Sequence, residues 1–309
     1  MLKSTGKLFF GSVFMNKRHL IAHGVAAATA AVWGTTFVAS SVLLTELSAA
    51  QLILLRFALS YVVLWLLSIG RKGPEITLKN ELTFLALGFF GVTGYQLLEN
   101  SALNNTTASN VGIIVAAAPI FTAILAHIFT KNEKIHARLV IGSLVAFLGV
   151  ALVTFNGTVV LKLSPVGDCI ALCAALSWAI YSMILKKING RYDSITLTRR
   201  MMFYGLLIAV PAVLIEHKPV HITALLNVKM LVCLAILALL GSALCYVTWN
   251  YSTKILGTVK TTNYIYVSPF VTMVAAYFVL GDSISLMGFI GAVMIISGVI
   301  IASMKRKKA

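Results

Sequence analysis

Two ionisable side chains of this chain sit in apolar surroundings, where a charge is costly and function is the default reading. Arg56 is the one cation well inside a long apolar run, and Glu99 stands near the end of the next such run. A guanidinium carries a planar fork of donors that matches a carboxylate or phosphate, so Arg56 could hold an anionic group of a ligand or pair with Glu99. The structural alternative is an anchor that snorkels to the surface about one and a half turns away. Spacing of three and four residues places Tyr95, Glu99 and Ala102 on one helical face, beside Gln96 and Asn100. Desolvation disfavours a charged carboxylate, which would let Glu99 take up and release a proton. The alternative there is an interfacial Glu already in water.

Other polar groups recur in pairs. Thr106, Thr107, Ser109 and Asn110 open one apolar run; Lys260, Thr261, Thr262, Asn263 and Tyr264 open another, with Tyr266 and Ser268 further in. Each run then reaches a proline, Pro119 or Pro269. Proline frees a carbonyl one turn earlier, at Val115 or Ile265, and in lipid that carbonyl must face protein or a watery cavity. It could serve there as a ligand or hinge; a kink that only shapes packing is the alternative. Trp33, Trp178, Tyr181, Tyr95, Tyr246, Trp249 and Tyr264 could wall a cavity, although Trp and Tyr also populate interfacial belts. Trp33 and Trp178 lie deepest in their runs. The candidate ligand set is therefore Trp33, Arg56, Tyr95, Glu99, Asn100, Asn110, Trp178, Tyr181, Asn250, Asn263 and Tyr264, with Pro119 and Pro269 as hinges.

Several chemistries lack their residues. There is no phosphate-cradling glycine loop, no HExxH and no nucleophile elbow, so neither ATP-driven pumping nor an enzyme is expected. His19, His136, His217 and His221 fall in loops or at ends, and His23 and His127 have no carboxylate in register. Cys169, Cys173, Cys233 and Cys245 lie in apolar runs and read as small core residues, neither a disulfide framework nor a zinc pattern. No cofactor and no metal are expected.

The elements that must position these groups are ten apolar segments, at roughly 20 to 43, 49 to 69, 82 to 101, 108 to 130, 138 to 155, 166 to 185, 201 to 215, 229 to 250, 261 to 280 and 286 to 304. A helical span needs about 20 such residues. With 59% hydrophobic and 11% charged residues in 309, little is left for a soluble domain. The net charge of +16 is one-sided: Lys162, Lys218, Lys229 and Arg56 apart, every Lys and Arg falls in a segment on the N-terminal side of the bilayer. The positive-inside rule then puts both termini in the cytoplasm of a cell whose inner membrane holds the chain, and a nucleic-acid partner is not expected. The basic first 19 residues resemble a secretory signal, but the run from Leu20 to Leu44 is too long for a signal core, so retention is expected; Met15 is a second candidate start.

The second five segments replay the first five. Trp33 matches Trp178 at an offset of 145 residues; Asn100 matches Asn250, Ala102 Ser252 and Pro119 Pro269 at 150; Glu133 matches Asp282, Gly142 Gly291 and Gly149 Gly298 at 149. The paired glycines, like Gly88, Gly91 and Gly94, read as sites of close helix contact. Five is odd, so the second unit must enter the membrane upside down, the plan of transporters that alternate access. The boundaries expected are a cytoplasmic segment 1–19, repeats at 20–155 and 165–304, an outer linker at 156–164 and a basic cytoplasmic tail at 305–309.

Trp33-Gly34, Arg56-Phe57, Pro119, Asn132-Glu133, Gly142 and Gly149, repeated as Trp178, Pro269, Gly281-Asp282, Gly291 and Gly298, resemble the drug/metabolite transporter superfamily in its EamA-domain branch. Ala179 and Asp282 depart from the pattern, where Gly and Glu are usual. The resemblance implies a multi-pass carrier, commonly an exporter of amino acids or other small metabolites, with its cavity between the halves. The expectation is an all-α membrane protein of two inverted five-helix repeats that moves a small polar or amphipathic metabolite outward, driven by its gradient or by protons. A multidrug exporter, a small-solute channel and a non-transporting scaffold remain alternatives, and a homodimer stays open.

Overall fold

A computed structural model describes residues 17–73, 75–106, 108–130, 135–156, 164–216, 218–219, 227–280 and 284–304. Among the described residues the chain is helical, with no strand. The first repeat contains α1 (Lys17–Leu43), α2 (Ala49–Leu67), α3 (78–103), α4 (Ala108–Val115), α5 (Ala118–Phe129) and α6 (Ala137–Phe155). The second contains α7 (Pro165–Ile188), α8 (Ser194–Glu216), α9 (228–256), α10 (Thr258–Thr262), a 3₁₀ turn at Asn263–Tyr266, α11 (Val267–Leu280) and α12 (Leu286–Ser303). The motifs Asn132-Glu133 and Gly281-Asp282, together with Thr107, Lys162, His217, His221, residues 1–16 and the tail 305–309, lie outside the described residues.

Helices satisfy their own backbone, which a bilayer demands. Eight of these rods are long and apolar enough to cross a membrane: α2, α3, residues 110–129, α6, α7, α8, α9 and α12. Several of their starts are capped by side chains. Ser48 and Gln51 form a reciprocal capping box on α2, and Thr77, His136 and Ser285 accept from Asn80, Leu139 and Gly288 backbone N–H groups. Leu59, Val62, Leu66, Phe289, Val293 and Ile296 turn outward, as a chain solvated by lipid requires.

The observed helices fall on the expected segments, but among the described residues eight rather than ten are long and apolar enough to cross a membrane, and α9 runs to Leu256 where 250 was expected; two further differences have a physical cause. The seventh begins at Ser194 rather than 201, because Asp193 accepts from the backbone N–H groups of Ile195 and Thr196 and Arg200 finds Glu81 at 2.6 Å. The fourth and ninth segments are not continuous kinked helices. α4 ends at Val115, and Pro119 stands in the first turn of α5; Pro269 likewise stands in the first turn of α11, after the 3₁₀ turn. A first-turn proline costs no backbone hydrogen bond, so each proline starts a helix at a break.

Packing exchanges helices between repeats. α1 lies against α9 and α11 of the second repeat, while α7 lies against α3, α4 and α5 of the first. At Gly34 a Cβ would stand 2.6 Å from the Ser268 carbonyl oxygen, so only glycine lets α1 approach α11 so closely.

Candidate functional site

Where the two repeats meet, α1, α3, α7 and α9 bring six aromatic rings together. Trp178 is the hub: its ring centroid lies 5.5 Å from Trp33, 5.3 Å from Tyr95, 5.0 Å from Tyr181, 6.1 Å from Trp249 and 6.4 Å from Tyr246. Trp33 in turn stands 5.0 Å from Trp249 and 5.7 Å from Tyr246, edge-on to the latter. Such tilted and edge-to-face pairs are favoured by ring quadrupoles. Trp178, Tyr181, Tyr246 and Trp249 are buried; Trp33 and Tyr95 are partly open.

Arg56 belongs to this centre. It is 7% exposed, which removes the snorkelling alternative. Its Nε donates to Ser242 Oγ at 2.9 Å, its Nη1 donates to Gln96 Oε1 at 3.3 Å, and its guanidinium lies 5.2 Å from the Phe57 ring centre. Arg56 thus ties α2 to α3 and, across the repeats, to α9. Glu99, half-buried on α3, accepts from the Tyr95 hydroxyl at 3.3 Å. Arg71 pairs with Asp193 and Arg200 with Glu81, whereas Arg56 and Glu99 are not within ion-pair distance of each other. A guanidinium and a carboxyl, each hydrogen-bonded to neutral partners beside an aromatic box, thus stand at one centre.

Two π-helical stretches shape the walls. In α3 the stretch is Phe89–Thr93, and in α9 it is Ile236–Leu244. They contain Gly91 and Gly241, which correspond at the 150-residue offset of the repeat. π-Turns are rare and concentrate at functional sites. The Gly91 carbonyl accepts from Tyr246 Oη at 2.6 Å, and the Gly241 carbonyl accepts from Trp33 Nε1 at 2.8 Å. Each π-turn is therefore held by an aromatic donor of the other repeat.

The remaining candidates are placed elsewhere. Asn250 is fully buried, accepting from Tyr181 Oη at 3.2 Å and donating to Thr198 Oγ1 at 2.8 Å, so it supports the Tyr181 ring from behind. Asn100 is half-buried one turn beyond Gln96. Asn110 joins Thr106 and Asp168 at the start of α7. Asn263 accepts from Ser143 on α6 at 3.3 Å, and Tyr264 meets His23 Nδ1 at 2.7 Å. Sequence reasoning passed over Ser242 and did not rank Gln96, Tyr246 or Trp249; the signal available was the Gly91 and Gly241 match, which marks the segment that carries Ser242. A surface recess of about 520 Å³ lined by Lys72, Gly73, Glu75, Arg191, Tyr192 and Asp193 shares no residue with the aromatic centre.

Comparison with known proteins adds to this geometry. The pattern of the EamA-like transporter family matches twice, at residues 20–155 and 165–304. An uncharacterized transporter of Bacillus subtilis (strain 168), YyaM, is 30% identical over 80% of this chain and 82% of its own. A protein of Streptantibioticus cattleyicolor described as a probable terminal-alkyne amino-acid exporter is 27% identical over 88% of this chain and 90% of its own. A known crystal structure superposes with a TM-score of 0.75 at 17% identity, over 92% of this chain and 96% of that one, and shares the fold.

Proposed function

Because the chain belongs to the EamA-like transporter family, we propose that it is a secondary carrier that exports a small polar or amphipathic metabolite, such as an amino acid, by alternating access. The observation that carries this reading is the centre itself: Arg56 and Glu99, opposite in charge and not ion-paired, sit in an aromatic box at the junction of the two repeats. A scaffold has no need of such groups, which are costly in a bilayer. The relative described as a probable amino-acid exporter supports the substrate class.

In this reading ten spans form two inverted five-span units in the inner membrane, with both termini cytoplasmic. Trp33, Arg56, Tyr95, Glu99, Trp178 and Tyr181 contact the substrate, and Asn100 borders it. Asn250 acts through Tyr181. Asn110, Asn263 and Tyr264 line the route at the broken helices, where the chain restarts at Pro119 and Pro269 and can hinge. Glu99 carries the coupling proton. A second reading is multidrug efflux, favoured by the number of rings around one cation and one carboxyl.

The deciding experiment is counterflow in proteoliposomes loaded with an amino-acid panel, beside a panel of lipophilic cations. Saturable exchange of an amino acid supports the first reading, and exchange of lipophilic cations alone supports the second. Flux without counterflow or saturation would replace both with a channel.

A further inference from the structure

The two π-turns are equivalent by sequence, yet they are served by non-equivalent donors. Trp33, of the first repeat, donates to the Gly241 carbonyl. Its repeat mate Trp178 should by symmetry donate to the Gly91 carbonyl, but Tyr246 holds that oxygen, and the buried Trp178 Nε1 has no hydrogen-bond partner. A buried orphan N–H is costly and asks for an explanation. Tyr246 has its own mate, Gln96, at the 150-residue offset, and Gln96 uses its carbonyl oxygen to accept from Arg56. Its amide N–H₂ remains a donor of the kind the Gly241 carbonyl takes.

The surroundings match as the donors do not. A Cβ at Gly91 would strike the Tyr181 ring at 2.1 Å, and a Cβ at Gly241 would stand 2.8 Å from Thr36. Thr36 and Tyr181 are themselves mates at the 145-residue offset. Both carbonyls are thus presented by bare glycine backbone at equivalent helix crossings, with two potential donors each. Tyr246 serves the Gly91 carbonyl and Trp33 the Gly241 carbonyl; by the repeat match the second donors are Trp178 and Gln96.

We infer that these four side chains form an exchange latch: in the opposite-facing state Trp178 takes the Gly91 carbonyl, Gln96 takes the Gly241 carbonyl, and Trp33 and Tyr246 are released. Two carbonyls are served by two donors in either state, so the exchange conserves hydrogen bonds. Near-equal energies of this kind are what a two-state element needs. The latch rests on the alternating-access reading above, and it makes Gln96 and Tyr246 positioning residues.

Hydrogen exchange of the full chain in lipid nanodiscs tests it, comparing peptides at one end (17–26 and 257–264) with peptides at the other (102–110 and 164–172). Tyr246→Phe keeps the ring but frees the Gly91 carbonyl for Trp178. Protection should then shift from one end to the other by about three- to tenfold, the effect of one hydrogen bond on a two-state equilibrium. Trp178→Phe removes the competing donor and should shift the ends in the reverse sense, and the double variant, which loses one hydrogen bond from each state, should return to the parent's balance. Loosening at both ends in both single variants, or a double variant displaced from the parent as far as Tyr246→Phe alone, overturns the latch. Counterflow reports separately: reversed shifts without solute exchange would break the carrier reading and support the latch, whereas solute exchange without reversed shifts would break the latch alone.

Discussion

The contact between α6 and α12 and the contact at the aromatic centre both join one repeat to the other, and they are built on opposite principles. Along α6 and α12 the partners are mates. A Cβ at Gly149 would stand 2.7 Å from the Gly291 carbonyl oxygen, and a Cβ at Gly291 2.7 Å from that of Gly149; Gly142 and Gly298 repeat the arrangement at 2.6 Å each way. At the centre mates have different partners. Trp33 is bonded and Trp178 is not; at the repeat offsets Arg56 corresponds to Met201 and Glu99 to Trp249. Reciprocal contact between bare backbones has one good geometry and fixes the repeats together. Unequal contact between equivalent positions records one state of a device with two, and supplies charges that strict symmetry would not.

The strongest way to break this contrast is at the glycine contact. Gly149→Leu would drive a side chain into the α12 backbone, which cannot give as a side-chain tip can. Overpacking typically costs about 1–3 kcal/mol, and with backbone as the neighbour the upper end or more is expected. The expected outcome is loss of monodisperse protein on size exclusion and a large fall in Tm. Gly24→Ala, which meets nothing within 4 Å, is the control and should leave Tm unchanged or raised. Equal tolerance at both positions would mean that the α6 and α12 contact is not a fixed scaffold.

At the centre the effects should fall on transport instead. Arg56→Ala removes two hydrogen bonds and the only buried cation among the centre's side chains. A hydrogen bond from a charged donor contributes about 1.5–3 kcal/mol, so transport of an anionic or zwitterionic solute should weaken roughly ten- to hundredfold in apparent affinity. Arg56→Lys should recover little, since an ammonium lacks the planar fork that reaches both Ser242 and Gln96. Full retention by the lysine variant, read in proteoliposome flux, would reduce Arg56 to a point charge.

Glu99→Gln is a milder change, because the amide keeps the shape and an acceptor for Tyr95. Flux should persist at a reduced rate and lose its dependence on a pH gradient. A variant whose pH profile matches the parent would remove Glu99 from proton coupling while leaving the asymmetry of the centre intact.

The sequence made one of these regions legible and left the other half hidden, for a physical reason. Glycines at matched offsets in apolar segments announce close backbone contact by their lack of a side chain. Segment bounds were readable because a bilayer demands long apolar helices, and Arg56 and Glu99 stood out by their cost. The π-turns and the donors that hold them were not readable. A one-residue widening of a helix leaves its hydropathy unchanged, and a Tyr that serves the carbonyl of Gly91 looks like any interfacial Tyr until the partner helix is in place. The breaks at Ala116–Ala117 and at Asn263–Tyr266 were hidden likewise, since a proline predicts a kink and a restart equally well.

A change outside both regions provides the finest test of the contrast, because it should alter stability and nothing else. Asp193 caps α8, accepting from the backbone N–H groups of Ile195 at 3.1 Å and Thr196 at 3.2 Å, and pairs with Arg71 at 3.3 Å. Burial alone would raise its pKa, but the hydrogen bonds from Thr196 and Ile195 and the Arg71 charge outweigh it and hold the carboxyl below its usual range. A carboxyl lowered on folding stabilises above its unfolded value, about 3.9, and loses that contribution as pH falls through the lower folded value. Asp193→Ala should therefore cost about 0.5–2 kcal/mol at pH 7, the range for a lost helix cap, and the difference from the parent in thermal unfolding should shrink as the medium is acidified below that value. Solute flux at pH 7 should be unchanged. A flux defect there would mean that the N-terminal end of α8 takes part in the cycle, and that the line between fixed and exchanging parts of the molecule lies elsewhere than at the two contacts compared above.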